Sequence, residues 1–313
     1  VLDTSANNGS VNIDANDNLN LNGSISAGSG SVTLDGADSL SVGASASINS
    51  GAQILKTTGG LSSNAPLNAG AGTILLEAND NVTIGANLTT SNDTTDAIRV
   101  IAGKNEDAGT ETGGSIVISG SPAISVGATS GRATFFSGDI SDSTGLTNLV
   151  GSGTGKFRYN ADDTTDFSSG NWQNLTSGKF AVYREQPAAT LTTESRIYGD
   201  DLNLNEITAS SGLVNGDTLD SASNIVDDTA SPTPIYSEHS GVLKYLDARG
   251  NWVDGAYEAT PYALNNNLRK LGYGIIGGTV SVTPKEVTLI AVKTYDGNNV
   301  LDPGELTVGN LVA

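Results

Sequence analysis

A 21-residue period runs through the start of this chain, and it leaves little freedom of fold. Val11 recurs as Val32, Gln53 and Ile74, and Ile13 as Leu34, Leu55 and Leu76. Leu19 recurs as Leu40, Leu61 and Val82, and Leu21 as Val42, Ser63 and Ile84. Two periods later the same columns hold Ile116, Ile118, Ile124 and Val126. Glycines keep step at Gly9, Gly30, Gly51, Gly72 and Gly114, and a further column reads Asn22, Gly43, Asn64, Gly85 and Gly127. Gly and Asn tolerate positive φ, so these columns are expected to be corners. Between corners the apolar residues alternate, which is the strand period and not the helical one.

A unit this short cannot bury an apolar face by itself and must stack on its neighbours. The expected architecture is all-β: a right-handed parallel β-helix of about 21 residues per coil, with three short strands per coil stacked at about 4.8 Å. No Phe, Tyr or Trp precedes Phe135, so the core must be thin and filled by Val, Ile, Leu and Ala. The coil near 93–113 is irregular, with a displaced strand at Ala97 to Ile101 and an acidic loop from Lys104 to Gly113. From about 133 the period decays into aromatic strands at Thr134 to Phe136, Phe157 to Tyr159 and Phe180 to Arg184. These are expected to close the open end, so the rod with its cap spans 1–187.

After Pro187 short alternating runs are separated by turn signals, among them Asn215-Gly216 and Asp254-Gly255. An Ig-like β-sandwich is expected over 188–285, with a helical turn at Asn265 to Leu271. Residues 286–313 begin another β module that is too short to fold alone. No initiator Met or leader is present, so the chain reads as part of something longer.

Three motifs carry a family resemblance. Phe157-Arg158-Tyr159-Asn160 and Ala181-Val182-Tyr183-Arg184-Glu185-Gln186-Pro187 resemble the end of the β-helix repeats of large haemagglutinin-type exoproteins. Ile197-Tyr198-Gly199-Asp200 with Ser211-Gly212-Leu213-Val214-Asn215-Gly216-Asp217 resembles the opening of an MBG (bacterial Ig-like) domain. Lys293-Thr294-Tyr295-Asp296-Gly297 resembles the start of a YDG domain. In this order they are similar to Gram-negative adhesins of the filamentous haemagglutinin type, exported by two-partner secretion. The resemblance covers nearly the whole chain, although the stretch between Leu219 and Val242 departs from the compact module pattern. It implies a secreted or cell-surface fibre that mediates adhesion, aggregation or biofilm cohesion, with no catalytic residues. Extracellular polysaccharide, cell-surface glycans and copies of the chain itself are the implied partners.

Composition narrows the chemistry. With no Cys and one His, the chain has no thiolate nucleophile, no disulfide framework and no His-rich metal cage. A net charge of −19 argues against nucleic acid as a partner, and no run of about 18 apolar residues could span a membrane as a helix. Gly151, Gly153, Gly155 and Lys156 resemble a phosphate loop, but Val150 and Phe157 stand where that motif needs Gly and Ser or Thr. His239 lies in a local run that supplies no triad partners.

Asp17, Asp38 and Asp80 share a column, and Asp14, Asp35 and Glu77 nearly form a second. A glycoside hydrolase would need two such carboxyls facing a groove, and a lyase a basic residue, for which the rod offers Lys56, Arg99, Lys104 and Arg132 in unrelated columns. Ordinary solvated turns explain the Asp columns equally well, so the chain reads as non-enzymatic. No cofactor is required. Calcium is the candidate ion, held by Asp17, Asp38 and Asp80, or by Asp296, Asp302 and Glu305, because it takes six to eight oxygen ligands. Trp252 and Tyr262 are the candidate carbohydrate contacts, since flat apolar faces suit sugar rings. A self-assembling extracellular filament subunit is the alternative reading, followed by a polysaccharide-degrading β-helix enzyme.

Overall fold

The structure, a computed structural model, describes residues 1–153 and 155–192. Beyond them it describes 194–197, 208–219, 224–226, 237–239, 242–246, 252–253, 263–265, 267–277, 280–283, 288–298, 300, 304 and 306–309. The chain divides into two compact units, one of Val1–Ala188 with Gly212–Thr218 and Asn267–Gly274, the other of Ala189–Ser211, Leu219–Asn266 and Ile275–Ala313.

In the first unit the chain visits three parallel sheets in rotation. Sheet A stacks Leu2–Asp3, Ser24–Ser26, Ser47–Asn49, Leu67–Asn68, Leu88–Thr89 and Ile124–Ser125. Sheet B stacks Val11–Ala15, Val32–Gly36, Gln53–Thr57, Ile74–Ala78, Ile98–Ala102 and Arg132–Ser137, then Gly178–Tyr183 and finally Phe157–Arg158. Sheet C stacks Leu19–Leu21, Ser39–Val42, Gly60–Ser63, Val82–Ile84 and Ile116–Ile118. Each strand pairs with its equivalents one coil away, which is the winding of a parallel β-helix. Val11 pairs with Val32, Val32 with Gln53, and Gln53 with Ile74.

The core is a set of vertical ladders. Leu34, Leu55, Leu76, Val100 and Phe135 form one unbroken inward column of sheet B, all fully buried. Burying each such side chain is worth roughly 1.5–3 kcal/mol. Gln53 breaks the neighbouring column yet is fully buried, because its amide donates to the Ile48 and Asn68 carbonyls at 3.1 and 2.7 Å.

The corner glycines serve a purpose other than positive φ. Gly30, Gly51 and Gly72 all have ordinary negative φ. What excludes a side chain is the coil beneath: a Cβ on Gly30 would sit 2.6 Å from the Asn8 carbonyl oxygen. Gly51 and Gly72 lie equally close to the backbone of Ser29 and Gly51. The Asn22, Gly43, Asn64, Gly85 alternation has the same origin. The Asn22 and Asn64 side-chain oxygens occupy the space above them, 2.5 Å from where a Cβ on Gly43 or Gly85 would stand.

Above the fourth coil the ladders differ from the period. Ile98, not position 95, pairs with Ile74. Ile116 and Ile118 pair with Val82 and Ile84 in sheet C, and Ile124 pairs with Leu88 in sheet A. Ile116 and Ile118 therefore continue the Leu19 and Leu21 columns instead of those of Val11 and Ile13, and Ile124 lies in sheet A instead of the Leu19 column. Gly114 lies against Asp80 and Gly103, and Gly127 donates to the Asn92 carbonyl at 2.8 Å, so neither continues its expected column. Residues 103–115 are an insertion between the B and C strands of one coil, not a coil of their own. The Ile-x-Ile spacing is the same on all three faces, so the pattern could not distinguish a double period from a loop.

Arg184 secures this insertion. It is 2% exposed, and its guanidinium donates to the carbonyls of Thr110, Ala102, Thr112 and Gly114 at 2.6–3.0 Å. At the closing end Phe157, Tyr159 and Tyr183 are fully buried and stack on one another, with centroids 5.9 Å apart for Tyr159 and Tyr183. Leu146 and Val150 of a short helix, Leu146–Val150, are buried at the same end.

Two segments from beyond Ala188 belong to this cap. Asn215-Gly216 forms the expected turn, with φ of 52° and 75°, and it packs on the rod: Gly153 N–H donates to the Asn215 carbonyl at 2.9 Å. The helix Asn267–Leu271 agrees with the helical turn read from sequence, and Leu271 accepts from Tyr159 N–H at 2.8 Å. Asp217 joins them, accepting from the Tyr159 and Tyr273 hydroxyls at 2.7 and 2.9 Å. Burial raises the Asp217 carboxyl above its ordinary value, against the tyrosine hydrogen bonds and the nearby Arg158 charge. Burial likewise pulls Arg158 down to about 10, which leaves it charged at neutral pH.

The second unit has small ribbons. Ala188–Leu191 pairs antiparallel with Ala209–Ser211, Glu194–Ile197 pairs parallel with Val280–Thr283, and Asn224–Val226 pairs antiparallel with Ala263–Asn265. Ser237–His239, Val242–Leu246 and Trp252–Val253 form a meander, and Thr288–Ala291 pairs with Leu306–Gly309. Among the described residues these strands do not assemble into a two-sheet sandwich.

Two outcomes follow from the packing. Gly72→Ala should lower stability by about 1–3 kcal/mol, because the obstructing atoms are backbone. Gly60→Ala, where the nearest atom is Asn81 O at 3.7 Å, should be close to neutral; thermal melts of both variants check this. A carboxyl whose folded pKa is raised stabilises the fold most below its ordinary value of 3.8, and that contribution fades as pH rises through the folded value. The stability of Asp217→Asn relative to the parent should therefore grow as pH rises above the ordinary carboxyl value of 3.8, as read from melts of the two proteins over a pH series.

Candidate functional site

Sheet B has an outward face made of two columns. One reads Asn12, Thr33, Ile54, Leu75, Arg99 and Thr134; the other reads Asp14, Asp35, Lys56, Glu77, Ile101 and Phe136. The face is polar at its base and becomes apolar toward the cap. There the segment between Phe157–Arg158 and Gly178–Tyr183 folds over it, placing Ala161, Phe167, Trp172 and Leu175 against Ile101, Phe136 and Val182. Phe167 and Trp172 meet edge to face at 5.5 Å.

A groove of about 340 Å³ opens where this cover stops, with Thr73, Leu75, Glu77, Asp96, Arg99, Ile101 and Asp163 around it. Leu75 and Ile101 give it an apolar floor. Its charges are mutually paired: Lys56 with Glu77 at 3.3 Å, Arg99 with Asp96 at 3.9 Å and with Asp163 at 3.7 Å, and Lys104 with Asp163 at 2.8 Å. Arg99 also donates to the Asp163 carbonyl at 3.1 Å and lies 5.4 Å from the centre of the Phe136 ring. The Arg99 Nε is buried and has no partner.

Asp162 fixes the cover from the next position. Burial raises its carboxyl, but hydrogen bonds from the Thr164 side chain and backbone, Ala108 N–H and Thr165 outweigh that and hold it below its ordinary value. The cover and the 103–115 insertion are therefore joined by Lys104–Asp163 and Ala108–Asp162 together.

The basic residues stand in different columns, as expected: Lys56 and Arg99 occupy separate outward columns of sheet B, Lys104 lies in the insertion, and Arg132 donates to the Leu175 carbonyl at 3.0 Å. Lys56 stands in register in the column of Asp14 and Asp35, and Glu77 follows it in that same column. Arg99 and Lys104 converge on Asp163. The period would have shown the first relation, since positions 14, 35, 56 and 77 are equally spaced. Nothing local in the sequence signals the second, which joins residues 59 positions apart.

The other candidates are less gathered. Asp17, Asp38 and Asp80 do share a corner, where Asp38 N–H reaches the Asp17 carbonyl at 3.5 Å. Gly59 takes the level between Asp38 and Asp80, since Asp80 N–H donates to its carbonyl at 3.3 Å. Two levels are about 9.6 Å, whereas carboxylates sharing one Ca²⁺ lie within about 5 Å. Among the described residues no three His, Asp or Glu side chains gather to hold a metal ion.

Asp296 is paired with Lys293 at 3.1 Å and accepts from Asn298 N–H at 3.0 Å. The hydrogen bonds from Asn298 and from Lys293 lower its carboxyl pKa. Asp302, Glu305 and Tyr262 lie outside the described residues. Trp252 lies on a strand paired with Leu246, and its side chain is outside the description. No family model matches the chain, and no curated protein or solved structure matches it.

The Lys104–Asp163 pair is the firmest link between insertion and cover. A double-mutant cycle on Lys104→Ala and Asp163→Ala should give a coupling of up to about 1 kcal/mol, falling as salt is added. Denaturant melts of the four proteins measure it.

Proposed function

We propose that this chain is a non-enzymatic segment of a Gram-negative cell-surface adhesin of the filamentous haemagglutinin type, secreted by the two-partner route. In this reading a right-handed β-helix stem is followed by an MBG-type Ig-like module over 188–285 and the first strands of a YDG-type module over 286–313. Its role is mechanical: it holds a recognition surface away from the cell and contributes to adhesion, aggregation or biofilm cohesion. The observation that carries the reading is the continuous parallel register from Val11 to Phe135. Such a stack resists bending because every coil is hydrogen-bonded to the next. The strong negative charge of the chain keeps fibres apart until cations or partners bridge them. Polysaccharide or cell-surface glycan is the proposed ligand class, and calcium the proposed bridging ion.

A second reading, a self-assembling filament subunit, is favoured by one feature. The ribbon Thr288–Ala291 with Leu306–Gly309 exposes Leu289 and Ile290, at 63% and 53%, so both its faces are bare. An isolated two-stranded ribbon is marginal in water, and its edges could pair with another chain.

Display of the chain on a non-adherent bacterium, with and without Ca²⁺, tests both readings. The adhesin reading expects cell aggregation or glycan capture that survives deletion of 286–313. The filament reading expects assembly that this deletion reduces to monomers in light scattering. Displayed cells that neither aggregate nor bind any glycan would overturn the adhesin reading.

A further inference from the structure

The geometry points to the groove beside Arg99 as a binding site for a neutral sugar chain; this rests on the adhesin reading and names where, and with what chemistry, that surface would recognise its ligand. The first reason is size and shape. At about 340 Å³ the groove is at the small end of ligand pockets, about 300–1,000 Å³. It lies on the outward side of sheet B, between the bare lower face and the folded cover.

The second reason is the mixture of groups. Glu77, Asp96 and Asp163 only accept hydrogen bonds, Arg99 only donates, and Thr73 does both. A sugar hydroxyl both donates and accepts, so it can be satisfied at either kind of partner. Leu75 supplies an apolar floor suited to the C–H face of a pyranose.

The third reason is electrical. Each groove carboxylate is already matched by Lys56, Arg99 or Lys104. An anionic or cationic ligand would have to break a pair and leave a charge unmatched, which is costly in a partly buried site. A neutral ligand need break none. A peptide strand is the poorer fit, because strand addition needs a free sheet edge, and the groove lies on the face of sheet B, whose strands here are paired on both sides.

The test uses the full chain on an array holding neutral hexose and N-acetylhexosamine oligosaccharides beside uronate and sialylated ones, followed by calorimetry with the best neutral oligosaccharide. Binding confined to neutral glycans is expected. Thr73→Trp, which fills the groove without touching an ion pair, should weaken it at least tenfold. Asp96→Asn, at a side chain 60% exposed and so harmless to folding, should weaken it several-fold. Thermal melts confirm that both variants are folded. Binding of acidic glycans alone, neutral binding that survives both substitutions, or no glycan binding at all would overturn the proposal. Aggregation of displayed cells by either variant at parental strength would leave the adhesin reading standing while the groove falls.

Discussion

Everything in the first unit depends on vertical hydrogen-bonded stacking at about 4.8 Å per coil. No coil has an interior of its own. Leu34 is buried because coils lie on both sides of it, and Leu55 and Leu76 for the same reason. This local interdependence gives a solenoid its stiffness. It also explains why corners are so intolerant of side chains. At Gly30 the backbones of successive coils approach so closely that the space a Cβ would fill is already taken by a carbonyl oxygen.

A stack held together in this way must also end, and the ending uses different physics. Along the rod the interior is mostly aliphatic, with Gln53 and Ser63 among its few buried polar side chains. At the closing end it holds Phe157, Tyr159 and Tyr183, together with two buried guanidinium groups that find carbonyl oxygens as acceptors. Arg158 and Arg184 act as multidentate ties between loops that lack ladder partners. A planar cation with five donors can satisfy several irregular backbone segments at once. Asp217 then accepts from the hydroxyls of Tyr159 and Tyr273, so the cap is built partly from chain that follows the rod in sequence.

The groove is a consequence of the same transition. Where the outward columns of sheet B change from Asp and Asn to Leu and Ile, the folded cover begins, and its margin leaves apolar floor and paired charges side by side. Half of this was legible in the sequence. The column of Asp14, Asp35, Lys56 and Glu77 is pure periodicity. Asp163 could not be placed there, because it comes from a segment without a repeat that folds back over the sheet.

By itself the sequence determined that this chain stacks parallel strands in coils, which residues point inward through the first four coils, and where the aromatics must close the stack. Those properties follow from alternation and period, which are local and repeated. Only the tertiary structure decided that 103–115 is a loop between two strands of one coil, that Ile116 belongs to sheet C, and that Arg99, Lys104 and Asp163 meet. An apolar alternation looks the same on every face of such a rod, so it records that a residue points inward without recording which sheet it joins. Contacts between residues far apart in the chain arise from how loops close over the coils, and no short-range pattern specifies that.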